Sequence, residues 1–316
     1  MSTAQALPPV KRRIGRTSGR GALGERRAGW PVRIIILAVV GLWVIPTLGV
    51  LINSLRPEEL VDNTGWWTAL AHPFRVAEWT FENYRTVLSA GGFGNAFLNS
   101  LAVAIPATVI PITIAAFAAY AFSWMEFRGR YVMFVAVVGL LVVPLQMALI
   151  PILRLYTSGA QLFGRVIFPD LDLGGTFLGV WLAHTGFGLP LATYLLRNYI
   201  GSLPSSIIES AKIDGADHFK IFLRLIIPLS VPALAAFAIF QFLWVWNDLL
   251  VAYVFLGGSQ ENRVLTLALA DLVGARGENW HLLTAAAFVS MSLPLVVFFS
   301  LQKYFVRGLT AGSVKG

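Results

Sequence analysis

Six long apolar blocks divide this chain, and each has about the 20 residues that a helix needs to cross a bilayer. The blocks cover residues 34–52, 96–122, 131–153, 176–196, 230–256 and 282–305. Charged residues make up only 13% of the 316 positions, against roughly 25% in a typical soluble protein. We therefore predict an all-α membrane protein with six transmembrane helices.

The charged residues between these blocks indicate how the helices are oriented. If the N-terminus is cytoplasmic, most basic side chains, for example Arg12, Lys212 and Arg307, are cytoplasmic, and most acidic ones lie outside. This distribution follows the positive-inside rule and predicts that both termini are cytoplasmic. The basic residues 1–30 are then a topology signal in a disordered tail, so the net charge of +8 does not require a nucleic-acid partner.

The longest segment on the predicted outer side, residues 53–95, mixes aromatic and polar side chains, as at Trp66, Trp67 and Trp79. Tryptophan prefers the boundary between lipid and water, so short helices resting on the lipid headgroups are one interpretation. A docking surface for an extracytoplasmic partner is the other. We favour the headgroup interpretation of the two.

The polar segment between the fourth and fifth blocks carries the signals of two short helices. Ser202 or Ser205 can cap the first helix, and Gly215 is typical of a position just beyond a helix end. Asp214 can accept backbone N–H bonds at the start of the second helix, which we predict to stop at Pro228. The sequence therefore predicts a helix–turn–helix, and the charge distribution places it in the cytoplasm.

The second of these helices has an apolar face, because Phe219, Phe222 and Ile226 are three or four residues apart. This spacing fits two arrangements. One is a pair of helices that docks on a soluble partner, and the other is an amphipathic pair that rests on the lipid surface.

A motif within the same segment resembles a known family. The segment reads Glu209-Ser210-Ala211-Lys212-Ile213-Asp214-Gly215-Ala216 and continues to Phe222 and Pro228. It is similar to the E-A-A-x-x-D-G-A loop of ABC importer membrane subunits, with Ser210 in place of one alanine. Further matches to the carbohydrate branch of that family are Gly188-Leu189-Pro190, Trp246-Asn247-Asp248 and the C-terminal run 302–316. The chain thus resembles the second permease subunit of maltose and α-glucoside importers.

The resemblance implies a type I ABC importer permease with a defined set of partners. These are a second homologous permease subunit, a homodimeric pair of cytoplasmic ATPase subunits, an extracytoplasmic sugar-binding protein and the lipid of the bacterial inner membrane. The six-helix domain would span residues 31–305, with a coupling loop at 203–228 and a cytoplasmic C-terminal tail at 306–316.

In such transporters the coupling loop sits in a cleft of the ATPase, which implies roles for particular residues. The residues implied to form or shape that interface are Glu209, Ala211, Asp214, Gly215, Ala216, Phe219, Phe222 and Pro228. The C-terminal tail is implied to approach the same interface through Gly308, Gly312 and Gly316. Glycine suits such a place because it allows two backbones to come close together.

The chain has no nucleotide-binding motif of its own. It contains no G-x-x-x-x-G-K-[ST] sequence, whose backbone amides would hold phosphates, and no cysteine that could bind a metal or act as a nucleophile. We therefore expect no cofactor bound by this chain and no enzymatic activity, with ATP and Mg²⁺ held by the partner ATPase.

Polar side chains inside the predicted spans are candidates for the substrate pathway. Asp248 is the one acid within a span, where a charge costs roughly 2.5–3.5 kcal/mol, so it should face protein or water. Gln241, Trp244 and Asp248 share one helix face, with Asn247 beside it, and Gln146 is a weaker candidate. An aromatic ring with amides and a carboxylate suits a sugar. Hydrogen bonds to other helices or to the partner permease explain the same residues equally well.

Asn99, Ser100 and His184 are among the other polar side chains in the spans. Asn99 and Ser100 are weaker candidates for the substrate pathway. His184 stands alone in the fourth block, and we interpret it as a helix-packing residue rather than a ligand.

The sequence thus predicts the permease subunit of an ATP-driven importer for an α-glucoside or a maltose-, trehalose- or oligosaccharide-type sugar. An ABC permease for a non-sugar solute is the alternative within this class. An ion-coupled secondary transporter would need more intramembrane carboxylates, in related halves of the chain. An intramembrane enzyme would need catalytic groups such as H-E-x-x-H, which the sequence lacks.

Overall fold

The computed structural model describes residues 29–89, 92–273 and 279–311. The chain divides into two compact units, Met1–Leu48 and Gly49–Gly316. The described part of the first unit is most of α1 (Trp30–Ser54), an apolar helix that contains Pro46. The predicted disorder of the N-terminal tail falls mainly on residues 1–28, which lie outside the described ranges.

In the second unit, short helices precede a set of longer ones. The short elements are α2 (Glu58–Asn63), α3 (Trp67–Ala71), a 3₁₀ turn (Val76–Glu78) and α4 (Glu82–Ser89). They are followed by α5 (Phe93–Trp124), α6 (Arg130–Gly139) with a 3₁₀ extension (Leu140–Val142), α7 (Leu145–Ser158) and α8 (Phe177–Ile200). Between α7 and α8, strands β1 (Ala160–Leu162) and β2 (Arg165–Phe168) pair as an antiparallel hairpin.

The remaining elements begin with the segment of the predicted helix–turn–helix. They are α9 (Ser205–Ile213), α10 (His218–Ile221), a π-helical turn (Phe222–Ile226), α11 (Ile227–Trp246), α12 (Leu250–Leu256), α13 (Leu265–Val273) and α14 (Trp280–Ala311). Since α14 is helical to Ala311, the first part of the predicted C-terminal tail, from residue 306, continues this helix.

The core of the second unit is built on α5 and α8, which pack along each other and both contact α11. Alanines on the buried side of α5, for example Ala104 and Ala107, let the neighbouring helices approach closely. Two apolar clusters fill the space between these helices. One includes Val180 and Phe255 and lies toward α12, and the other includes Ile208 and lies toward α9.

Four helices in the described ranges are long and apolar enough to cross a membrane, and a fifth candidate is bent. The four are Trp30–Ser54, Phe93–Trp124, His218–Trp246 and Trp280–Lys303. The fifth is the pair Arg130–Val142 and Leu145–Ser158, whose axes differ by 107°. The predicted helical membrane protein is therefore supported, with fewer clear spans than the six expected.

The third and fourth predicted spans differ from a simple apolar helix for separate reasons. The chain turns sharply at Val143, because the following Pro144 favours an extended backbone in the residue before it. Helix α8 is continuous but carries His184, Thr193 and Arg197. Much of α8 is buried among other helices, so it does not need an entirely apolar surface toward lipid.

The fifth predicted span is two helices rather than one. Helix α11 ends at Trp246, and α12 begins at Leu250. The Asp248 carboxylate accepts N–H bonds from Val251 and Ala252, at 2.9 and 3.2 Å, and thereby caps α12. The predicted span 230–256 is therefore interrupted at Asp248, which lies at a break between two helices.

Pro228 does not end a helix, contrary to the prediction. One helix runs through His218–Trp246 and includes α10, the π-helical turn and α11. Proline usually interrupts a helix because it lacks an N–H group and its ring clashes with the carbonyl four residues earlier. The wider π-helical turn directly before this proline changes that bonding pattern, so the helix continues.

Candidate functional site

The turn after α9 is closed by the two backbone bonds of a Schellman motif. The Gly215 N–H donates to the Lys212 carbonyl and the Ala216 N–H to the Ala211 carbonyl, both at 3.0 Å. Gly215 has a φ of +79°, a conformation that side chains disfavour. The prediction that Gly215 ends the first helix is confirmed.

The other predicted helix caps are wrong. Pro204, rather than Ser202 or Ser205, occupies the N-cap position of α9 and makes no side-chain bond there. Its fixed φ of −61° suits the entry to a helix without a polar cap. Asp214 is the C-cap residue of α9, and Asp217 is the residue that caps the following helix.

Asp217 fixes the start of α10 through its carboxylate. Its Oδ1 accepts a hydrogen bond from the Lys220 N–H at 2.8 Å, and its Oδ2 lies 3.5 Å from Lys220 Nζ. Donation from the Lys220 backbone N–H holds the pKa of Asp217 below its usual value, because it stabilises the ionised form. The second helix therefore begins three residues later than the Asp214 cap would have placed it.

One side of the α9–α10 segment packs into the second unit. Ile208 and Phe222 are buried, and the Phe222 ring stacks on Phe117 of α5 with centroids 4.4 Å apart. The Tyr120 hydroxyl lies 2.8 Å from His218 Nδ1 and links α5 to the start of α10. The sequence pattern indicated packing at Phe222 but not the aromatic and polar partners on α5, which are distant along the chain.

The other side of the segment is open. Most of the residues implied to contact the ATPase are exposed: Glu209, Asp214, Gly215, Phe219 and Pro228. Ala211 and Ala216 are half-buried, and Phe222 is buried. Phe219 is 61% exposed, so it does not pack into the protein as Phe222 does, although both belong to the same predicted apolar face. Ile213, which the motif does not single out, is 86% exposed. Large apolar side chains exposed together with Glu209 are typical of a contact surface.

Two residues of the predicted shared face, Gln241 and Trp244, lie on α11, and Asp248 lies just beyond its end; all three are next to α8. The Gln241 Nε2 donates to the Ala107 carbonyl of α5 at 3.1 Å. A methyl group on Gly188 of α8 would come within 2.7 Å of the same amide group. Gln241 is therefore buried at the junction of three helices rather than open to a substrate.

His184 of α8 lies beside the two other members of this face. The Trp244 indole meets the imidazole edge to face, with ring centroids 5.2 Å apart. The Asp248 Oδ2 lies 3.8 Å from His184 Nε2, and the Thr266 hydroxyl donates to the Asp248 carbonyl at 2.8 Å. His184 is a buried packing residue, as predicted, but no sequence signal indicated that its neighbour is the acid at the α11–α12 break.

Asn99 and Ser100 act as anchors for the chain before α13. The Asn99 Nδ2 donates to the carbonyls of Glu261 and Arg263, at 2.7 and 2.9 Å. The Ser100 hydroxyl accepts from the Leu265 N–H at 2.7 Å. These bonds occupy both side chains within this chain, so the geometry supports a structural role.

Trp244 lines a cavity of about 500 Å³ at the bend between α6 and α7. The other lining groups are largely apolar and include Pro144 and Phe187. Gln146 and Asn247 are exposed elsewhere, and Asn247 bonds to the Leu243 carbonyl of its own helix. Of the predicted pathway residues, the structure thus places Trp244 alone at this cavity.

Two remaining predictions concern metals and the C-terminus. Within the described ranges, no group of three or more His, Asp or Glu side chains could hold a metal ion. Gly308 belongs to the last turns of α14, whereas Gly312 and Gly316 lie outside the described residues.

Similarity to known proteins covers most of the chain. The family described as binding-protein-dependent transport system inner membrane component matches residues 97–311. A solved structure of a bacterial ABC transporter involved in the import of alginate aligns with a TM-score of 0.69 at 21% identity. The alignment covers 87% of this chain and 95% of that one, so the two share a fold.

Two curated proteins are similar along nearly their whole length. The osmoprotective compounds uptake permease protein GgtD of Synechocystis is 58% identical, covering 90% of this chain and 92% of that protein. The alpha-glucoside transport system permease protein AglG of Rhizobium meliloti is 45% identical, covering 91% and 97%. The chain therefore belongs to the family of inner membrane components of binding-protein-dependent transport systems.

Proposed function

We propose that this protein is the permease subunit of an ATP-driven importer that carries a sugar of the α-glucoside type. The observation that supports this most directly is the 45% identity to a permease named for α-glucoside transport, across 91% of this chain. Maltose-, trehalose- and oligosaccharide-type sugars form the wider group of candidate substrates.

The coupling loop is proposed to be the contact with a cytoplasmic ATPase that holds ATP and Mg²⁺. The exposed Glu209, Ile213 and Phe219 supply a mixed polar and apolar surface, while Ile208 and Phe222 attach the loop to the membrane helices. Since α9 is joined to α8 on one side and to the helix His218–Trp246 on the other, force applied to it reaches two core helices.

The proposed topology has six spans and both termini in the cytoplasm. The bent pair α6–α7 counts as the third span, α8 as the fourth, and α11 with α12 as the fifth. In the working assembly, a second homologous permease, two identical ATPase subunits and an extracytoplasmic binding protein would complete the importer.

Substrate contact by this chain is proposed at Trp244, whose ring reaches the cavity beside the α6–α7 bend. An aromatic face can stack on the C–H face of a sugar. Because Gln241 bonds to the protein backbone and Asp248 caps α12, polar contacts with the sugar would come mainly from the second permease.

A non-sugar osmoprotective solute is the second candidate substrate. The 58% identity to a permease named for osmoprotective compounds favours it, since that name specifies no sugar.

An uptake assay distinguishes the two candidate substrates, in proteoliposomes that contain the complete importer and its binding protein. We expect ATP-dependent uptake of radiolabelled trehalose or maltose that persists with a proton ionophore and is not reduced by excess glycine betaine. Uptake of betaine but of no α-glucoside would reject the sugar. Loss of uptake with the ionophore would reject ATP-driven transport.

The coupling role is tested by placing a lysine at either of two positions on α9. Glu209→Lys should abolish uptake while the ATPase still binds nucleotide, and Ser206→Lys, on the same helix outside the motif, should retain it. Normal uptake by the Glu209 variant would reject the proposed contact.

A further inference from the structure

The chain after α1 folds back onto the end of that helix. Gly49 lies within α1, and a methyl group there would come within 2.9 Å of Trp66 Nε1. The indole therefore lies directly against the helix backbone. This contact fixes the depth of the segment around Trp66 at that of the last turns of the membrane span.

A second contact fixes the depth of the far end of the same segment. The Thr80 N–H donates to the carbonyl of Leu55, the first residue after α1, at 2.7 Å. The axial rise between Gly49 and Leu55 is about 9 Å. The stretch from Trp66 to Phe81 is thus attached at two points to a short length of chain at the end of a membrane span.

Buried polar contacts give this stretch a fixed shape. Arg56 is fully buried and donates to the Thr64 hydroxyl at 2.6 Å and to the Gly65 carbonyl at 3.2 Å. Its guanidinium also lies 3.6 Å from the carboxylate of Glu78. One buried side chain therefore ties the residues directly before Trp66 to the second half of the stretch, which restricts the orientation of the outward side chains.

The outward side chains are large and apolar. They are Trp67, Leu70, Phe74, Val76 and Phe81. Phe74 is 96% exposed and Val76 is 85% exposed, with the exposed Arg75 between them. The neighbouring α2 differs, since it carries Glu58, Glu59 and Asp62 on its exposed surface.

We propose that the stretch Trp66–Phe81 is a lipid anchor that lies in the headgroup region at the C-terminal end of α1. Interfacial segments place apolar side chains about 5–10 Å into the boundary between headgroups and acyl chains. Tryptophan is favoured at that depth, and Arg75 can extend to lipid phosphates. The proposal depends on the membrane location of the family and not on the transported substrate.

Site-directed spin labelling tests this depth, because the chain contains no cysteine and single labels are unique. Phe74→Cys and Val76→Cys carry nitroxides in the complete importer, reconstituted in vesicles of phosphatidylethanolamine and phosphatidylglycerol. Asp62→Cys on α2 is the matched control. Oxygen partitions into lipid, so we expect it to relax the nitroxides at 74 and 76 several-fold more than a water-soluble nickel chelate does. At position 62 we expect the nickel chelate to relax the nitroxide more than oxygen does.

Three other results would each overturn the proposal. Labels at 74 and 76 that behave like the label at 62 would place the stretch in water. Labels that are water-accessible until the binding protein is added would make it a protein-docking surface. Labels protected from both relaxants, in detergent as well as in vesicles, would place it against the second permease.

Discussion

His184 Nε2 lies 3.8 Å from Asp248 Oδ2, so a buried imidazole of α8 faces the acid at the break between α11 and α12. The same carboxylate oxygen accepts the N–H bonds of Val251 and Ala252. The Asp248 carboxylate therefore accepts hydrogen bonds from the backbone of α12 and also faces α8. The helix break is stabilised by these polar contacts, without a proline or glycine at the break.

Removal of the Asp248 carboxylate should destabilise the start of α12. We expect Asp248→Ala to lower stability by about 1 kcal/mol, as for the loss of a helix cap, and Asp248→Asn to cost less because an oxygen acceptor remains. Thermal unfolding of the purified complex measures both. Asn247→Ala is the control, since Asn247 is exposed and bonds within its own helix. Equal melting temperatures for the two alanine variants would contradict the capping role.

A side chain at Gly188 should disturb the packing of α8 against α11. Gly188→Ala brings a methyl group within 2.7 Å of the Gln241 amide, and overpacking of this kind costs about 1–3 kcal/mol. Adding Gln241→Ala should recover part of that loss. Gly186→Ala on the same helix meets no atom within 4 Å and should not destabilise the protein. The prediction fails if the Gly188 and Gly186 variants unfold at the same temperature.

The positive φ of Gly215 should matter for coupling. Nothing lies within 4 Å of a methyl group at this position, so the cost of Gly215→Val comes from the backbone and is about 1–2 kcal/mol. Asparagine tolerates this conformation better, so Gly215→Asn should be milder. Stimulation of ATP hydrolysis by the binding protein is the measurement. We expect this stimulation to be largest in the wild type, smaller in the Gly215→Asn variant and smallest in the Gly215→Val variant. Equal stimulation in all three proteins would show that the turn does not limit coupling.

Acid should loosen the start of α10. The pKa of Asp217 is lowered in the folded protein, so its stabilising effect is complete above the ordinary carboxyl pKa and is lost as the pH falls through the lowered value. Hydrogen exchange at the Lys220 amide, corrected for its intrinsic pH dependence, should therefore lose protection below about pH 4. Asp217→Asn keeps an acceptor but cannot titrate, so its protection should not change with pH. An identical acid response in both proteins would assign the effect to another group.

The sequence was most informative where the signal is local. Apolar length predicted most of the long helices, because a bilayer requires about 20 apolar residues wherever they occur. Gly215 was predicted as a helix end because few residues adopt a positive φ. The cap assigned to Asp214 was wrong by three residues, since several acids near a turn can each accept the same N–H bonds and only the folded backbone selects Asp217.

The candidate pathway residues were harder to interpret because their roles depend on partners far along the chain. Helical spacing placed Gln241, Trp244 and Asp248 on one face, and all three do lie against α8. Spacing could not reveal that Gly188 receives the Gln241 amide or that His184 faces Asp248. Sequence spacing likewise does not reveal that Arg56, in the predicted outer segment 53–95, is fully buried.

By itself, the sequence determined that the chain is a helical membrane protein with a turn at Gly215, because hydrophobic length and backbone conformation depend on neighbouring residues. Tertiary structure decided that the helix passes through Pro228, that Asp248 ends up at a helix break, and that Trp244 rather than Gln241 reaches a cavity. The physical reason is that burial, hydrogen-bond partners and side-chain exposure are set by which helices pack together, and this information is spread across α5, α8 and α11.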